Sequence, residues 1–452
     1  MAHPTERGRA VNEQEFWNSR ADLKYVRDYA RAKGVRVAPW ALLFGVLARV
    51  CAATPPNVVI PPLAGGSAMS LNFYVALIGA SGDGKGLTEH VARQIVPDIR
   101  QAITTQPASG EGLATIYMRH ATDDEGKPTV ECASCRALLS IPEIATLGGT
   151  AKRVGSTVVP TLTSAYSGEQ LGGWNKNESN RFFVPEYGYR VSLITGVQPA
   201  NVKVLMNETG TGLPQRFVWA SVRDPEAPEQ APDRPATPFV YDSSRLPADP
   251  SQTGLNALYK AGSRYDMLNH GDTNYPLTLM RFPDCAVEAV ETDSYMRLRG
   301  TRGNELDAHS IGVKLKLAAL FALLDCRLEV TEADWQLAVY AYARSAMFRA
   351  DCIREGEQAA CSRKAEAIAL DDEAREQAER RKLEQAKQRI INYLERHDPN
   401  GEGVRGYMIR RGCGRLQKHA FDAIQSLYAE GRVEPASIET ENAGETDWRL
   451  VS

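Results

Sequence analysis

"YVALIGASGDGKGLTEH", Tyr74 to His90, decides how the rest of the chain is read. The continuous apolar run Leu71 to Gly79 predicts a strand buried on both faces. Three glycines and Lys85 follow, and "KGLTEHVARQIV" continues as a helix. The pattern G-x-x-x-x-G-K is complete from Gly79 to Lys85. Successive backbone N–H groups curl around an anion only where no Cβ intrudes, and a helix beginning near Lys85 points its positive end the same way. Strand, glycine loop and helix in this order separate a phosphate loop from a chance match. The expected nucleotide contacts are Gly79, Ala80, Ser81, Gly82, Asp83, Gly84, Lys85, Gly86 and Leu87, with Lys85 reaching the β and γ phosphates.

Gly86 departs from the pattern, because a Ser or Thr there commonly offers its hydroxyl to magnesium. Thr88 lies two positions on, toward another side of the helix, and is a poor substitute. ATP and Mg²⁺ are the expected cofactors, with the protein ligands of the metal left open.

A phosphate loop that hydrolyses also needs an acid at the tip of a neighbouring strand. "RALLSIPEI" offers Glu143 after an apolar run, as catalytic base. The usual pair of adjacent acids is reduced to one, with Ser140 and Pro142 before it. "SLITGVQPAN" places Gln198 and Asn201 just past another apolar strand, and Gln198 is the better choice to orient an attacking water. The alternative for Gln198 is a turn amide before Pro199. Arg216 stands immediately before the strand "RFVWASV", where it can stabilise transferred charge in its own subunit or a neighbour's. Lys152 and Arg153 are alternative cations.

The apolar strands "RALLSI", "YRVSLITGV" and "RFVWASV", separated by helical or loop segments, predict an α/β core with a largely parallel sheet. A length of 452 residues implies about two to four domains. The expected division is a helical region over 1–70, an ATPase core over 71–250 and a helical lid over 251–350. A charged helical linker over 351–385 and a winged helix over 386–452 complete it. Thr331 is the expected N-cap of the helix starting "VTEADW".

Taken together, "APWALLFGVLARV", "PPNVVIPPLAGG", "SLNFYVALIGASGDGKG", "LLSIPEIATLGG", "LITGVQPAN" and "PQRFVW" resemble P-loop ATPases of actinobacterial phages, prophages and plasmids. Those proteins are replicative-helicase-like and often accompany primase-polymerases. The resemblance covers roughly residues 13 to 350. It implies a RecA/AAA+-type core, a helical lid and assembly as a homo-oligomer on DNA, in the manner of a hexameric ring, with a primase-polymerase as a possible partner. It also implies roles for Lys85 as phosphate lysine, Glu143 as catalytic acid, Gln198 as sensor and Arg216 as an arginine near the γ-phosphate.

Three helices and a hairpin in about 65 residues at the carboxyl end suit a winged helix. Arg405, Arg410, Arg411, Arg415 and Lys418 occur there with no acid among them. Arg410, Arg411, Arg415, Lys418 and His419 are the expected duplex-DNA contacts, though the same charges also suit a solvated face. In the core, "SGEQLGGWNKNESNRFF" suggests a loop meeting single-stranded DNA, with Trp174 stacking on a base and Lys176 and Arg181 on phosphates. A buried Trp anchoring the loop is the alternative.

The net charge of −3 excludes a globally basic nucleic-acid binder, so any such contact is a local patch. The run Ala38 to Ala53 is short of the about 20 apolar residues of a bilayer span and carries Arg49, so it reads as a buried helix. No membrane association is expected. Eight scattered cysteines and no apolar leader suggest the reducing cytoplasm. Cys132 and Cys135 alone form C-x-x-C, half of a tetrahedral metal site, or two small residues in a turn.

The chain therefore reads as an ATP-hydrolysing motor on DNA, a helicase or helicase loader of a mobile element. The alternative is a nucleotide-gated DNA-binding initiator or regulator with little turnover.

Overall fold

All six residues from Phe73 to Ile78 are buried, as in a central strand covered on both faces. The computed structural model describes residues 12–451, apart from 64–65, 108, 123–124, 127, 152–155, 174–181, 262–274, 302 and 437–441. Its main sheet contains β1 (Phe73–Ile78), β2 (Ile103–Thr105), β3 (Arg136–Ile141), β4 (Arg190–Val197) and β5 (Phe217–Ser221). All are parallel, in the order β5-β1-β4-β3-β2. The chain is thus an α/β protein. Ile78 pairs with Val197 on one side and Ser221 on the other, and Ile141 pairs with Thr195. The residues following β1, β3, β4 and β5 consequently share one edge, where open parallel sheets bind ligands.

Helix α1 (Pro39–Ala53) packs against this sheet, and every one of its residues is buried. Arg49 lies within it and donates Nε to the Val96 carbonyl at 2.7 Å. Burial lowers the Arg49 pKa to about 10. Helix α2 (Lys85–Ile95) follows the glycine loop. Helix α3 (Ser310–Leu324) carries the buried Lys316, whose Nζ donates to the carbonyls of Asn72 at 2.8 Å and Tyr166 at 2.7 Å.

Helix α4 (Glu332–His397) is far longer than its apolar pattern implies, because the charged stretch after Arg354 continues it. The Asp334 amide donates to Thr331 Oγ1 at 3.2 Å while Asp334 Oδ2 accepts the Thr331 amide at 2.9 Å, so Thr331 is its cap. Asp334 also pairs with Arg20 and Arg327, each at 2.9 Å.

The chain divides between Ala359 and Ala360 into two compact units. The second is built from the end of α4, α5 (Gly406–Gly412), α6 (Ala420–Ala429) and three antiparallel strands. These are β6 (Val404–Arg405), β7 (Val433–Pro435) and β8 (Asp447–Leu450), with β8 in the middle. Ile390, Leu394, Ile409, Ile424, Leu427 and Trp448 form its core.

Several strands have no counterpart in the expected pattern. Val58–Ile60 pairs with Met69–Ser70 and Thr278–Leu279, and two hairpins form at Met118–Thr122 with Pro128–Cys132 and at Leu171–Gly173 with Phe182–Val184. Cys132 ends one of these strands. Among the described residues no helix is long and apolar enough to cross a membrane, and no group of three or more His, Cys, Asp or Glu could hold a metal.

Candidate active site at the carboxyl edge of the sheet

Between β1 and α2 the chain turns through Gly84, whose φ of 94° is the left-handed conformation glycine tolerates. Lys85 then opens the helix and folds back over the loop. Its Nζ donates to the carbonyls of Gly79 at 2.7 Å and Ala80 at 2.9 Å, and lies 3.9 Å from Glu143 Oε2. Asp83 Oδ2 accepts the Ala80 amide at 2.8 Å and Arg223 Nε at 3.0 Å. The Ala80 amide chiefly, with Arg223, holds the Asp83 carboxyl below its usual range.

Glu143, one residue beyond Pro142 at the end of β3, accepts the Gln198 side-chain amide at 2.9 Å and that of Asn201 at 3.4 Å. Lys85, Glu143 and Gln198 thus come from the ends of three adjacent strands to one cavity of about 580 Å³, also lined by Ala80, Glu89 and Ser140. Gly196 makes the approach possible, since a Cβ there would lie 2.2 Å from the Pro142 carbonyl oxygen and 2.8 Å from Lys85 Cε. Thr88 is buried and donates to the Gly84 carbonyl at 3.1 Å, so its hydroxyl is spent within the helix.

Arg216 is not part of this group. It precedes β5, and in a parallel sheet the residue before a strand sits at the opposite edge from the residue after it. With Phe217 paired to Tyr74, Arg216 is a strand's length, roughly 15–20 Å, from the loop after β1. The expectation that it meets a phosphate in its own subunit is corrected accordingly. Its Nη1 donates to the Gly212 carbonyl at 2.6 Å, and it lines a separate cavity of about 350 Å³ with Tyr166, Arg297 and Lys316. An arginine at the edge of the glycine loop is Arg223, which follows β5, is more than half exposed, and also approaches Glu355 at 3.7 Å. Sequence reasoning missed it, although its place after an apolar strand was the available signal. Lys152, Arg153, Trp174, Lys176 and Arg181 lie outside the described residues.

The resemblance also implies magnesium. Gly86 and Pro142 stand where a hydroxyl and a first acid are usual, and neither side chain carries a donor. The cavity nevertheless presents the carboxylates of Glu89 and Glu143 and the Ser140 hydroxyl. Hard oxygen donors of this kind suit Mg²⁺, which keeps several of its own waters.

In the second unit Arg411, Arg415 and Lys418 are exposed. Arg410 lies over the Phe421 ring at 5.4 Å, and His419 sits 3.6 Å from Glu379. Arg415, Lys418 and His419 occupy a 3-10 segment, Gly414–His419, immediately before α6. The first turn of α6 itself carries Asp422.

The chain matches no protein-family model and no curated protein.

Proposed function

We propose that the chain is a P-loop NTPase that binds and hydrolyses ATP and acts as an oligomeric motor on DNA, as a helicase or helicase loader in replication of a mobile element. The observation that carries this reading is the convergence of Lys85, Glu143 and Gln198 on one cavity at the carboxyl edge of an all-parallel sheet. A glycine loop entering a helix beside that cavity supplies backbone donors and a positive dipole to an anion. Magnesium, when bound, neutralises charge on the phosphates.

The chain's own groups do the rest. Lys85 leaves the Gly79 and Ala80 carbonyls for the phosphates. Glu143 takes the proton of the attacking water, and Gln198, already hydrogen-bonded to Glu143, orients that water. Arg216 faces away from its own site, which fits a role on a neighbouring copy. We read the second unit as a winged helix, with Arg411, Arg415 and Lys418 as its exposed cations toward duplex DNA.

Steady-state ATP hydrolysis with and without single-stranded DNA, against Lys85→Ala, tests the proposal. Turnover that rises with DNA and is lost in the variant is the expected result. Gly86 and the single acid favour a second reading, a nucleotide-gated DNA-binding initiator. ATP binding without Lys85-dependent turnover would select it over the motor.

A further inference from the structure

Glu89 lies one helical turn beyond Gly86 on α2, and Ser140 lies two residues before Pro142 on β3. A three-residue step on a helix and a two-residue step on a strand each keep the same face. Both side chains line the cavity of Lys85 and Glu143, and Ser140 Oγ donates to Glu89 Oε2 at 2.7 Å. The functional groups absent at Gly86 and Pro142, a hydroxyl and a carboxylate, are therefore present one step deeper with their elements exchanged. The helix carries the carboxylate and the strand carries the hydroxyl.

Among the described residues, no charge that would compensate the Glu89 carboxylate is in contact with it. Arg49 and Arg93 act on it through space, and Arg49 already donates to the Val96 and Pro97 carbonyls. Burial outweighs these influences and pushes the Glu89 carboxyl above its usual range. A half-buried carboxylate with a single hydroxyl donor keeps lone pairs to offer, and an uncompensated charge is costly unless something binds it. Beside it, a Cβ built on Gly86 would meet nothing within 4 Å, which leaves room for an ion with its water shell.

We infer that Glu89 and Ser140 hold the divalent cation that accompanies the nucleotide, in place of the ligands missing at Gly86 and Pro142. The inference rests on the nucleotide reading of the cavity. Both donors are oxygens, and two protein ligands with waters and phosphate oxygens complete a shell of the kind Mg²⁺ prefers.

The test measures ATP affinity of the full chain by calorimetry, in excess Mg²⁺ and in EDTA, for the wild type, Glu89→Gln and Ser140→Ala. Mn²⁺ bound in the presence of ADP is followed in parallel by electron paramagnetic resonance. The expected result is that both variants bind ATP as the wild type does in EDTA. Each loses the tightening that Mg²⁺ brings, and their Mn²⁺ affinity falls by about 10–100-fold. A wild-type Mg²⁺ effect and Mn²⁺ affinity in both variants overturns the cation site and leaves nucleotide binding standing. Failure of the wild type to bind ATP in either condition overturns both.

Discussion

The Gln198 side-chain amide donates to the Glu143 carboxylate at 2.9 Å, tying the ends of β4 and β3 together across the mouth of the cavity. With Asn201 on the other oxygen and Lys85 Nζ 3.9 Å away, Glu143 is held by partners that follow β4 and β1.

Glu143→Gln keeps the shape and one of the two accepting oxygens and removes the base. ATP hydrolysis should fall by about 10²-fold or more while ATP binding persists. Gln198→Ala should also slow turnover, with ATP affinity close to wild type, because it leaves the loop and Lys85 intact. Single-turnover hydrolysis beside equilibrium binding separates the two effects.

Gly196→Ala places a methyl group against the Pro142 carbonyl and the Lys85 side chain. Overpacking of this kind costs about 1–3 kcal/mol. A lower melting temperature and weaker ATP binding should appear together, since the displaced group is Lys85. A variant that melts lower yet binds ATP normally would contradict this arrangement.

Because burial raises the Glu89 carboxyl above its unfolded value, the native protein holds that proton more tightly. The stability this confers is present at low pH and declines as pH rises through the folded pKa. Without nucleotide, Glu89→Gln should therefore melt higher than wild type near neutral pH, by about 1–3 °C. The gap should narrow as the pH approaches the ordinary glutamate range near ~4.3. Calorimetric melts across pH measure it.

Asp334 works in the opposite sense. Burial pushes its carboxyl up, but hydrogen bonds from Arg327 and Thr331 prevail and leave it below the usual range. Its stabilisation is complete above the unfolded aspartate value of ~3.9 and is lost as pH falls through the folded one. Asp334→Asn leaves Arg20 and Arg327 without their shared acid and should cost about 2–4 kcal/mol at neutral pH. Urea denaturation at neutral and acid pH should show that cost shrink on acidification.

Replacing Arg411, Arg415 and Lys418 together by Ala should weaken duplex-DNA binding across sequences. If each meets one phosphate, the slope of log affinity against log salt falls by about 2.7. His419→Ala should matter less, because that ring sits beside Glu379. Fluorescence anisotropy at several salt concentrations checks both expectations.

The parts legible in the sequence are those where burial leaves a pattern. Four strands of the main sheet are mostly apolar, and three of them are followed shortly by Lys85, Glu143 or Gln198. The fifth, Ile103–Thr105, is a short edge strand with two exposed residues, so it carries no such run. The length of α4 was hidden for the converse reason, since residues 361–382 are exposed and form helix without burying an apolar stripe. Arg216 was misplaced because a residue before and a residue after a parallel strand look alike in one dimension yet stand at opposite edges. Glu89 left no signal of its own: mid-helix acids are common, and only the fold brings this one to Ser140.

Helix α1 has no solvated face, and part of what encloses it is made late. Its last residue is Ala53, whereas β4 and β5, both packed against it, end at Val197 and Ser221. At the usual pace of synthesis the interval is on the order of ten seconds. For that time a fifteen-residue greasy segment has only part of its cover, from its amino-terminal neighbours, β1 and α2. Early burial against its amino-terminal neighbours Phe16, Leu23 and Val26, and against α2, would shield it until the sheet is complete. The sheet that positions the site is also the lid that this helix must wait for.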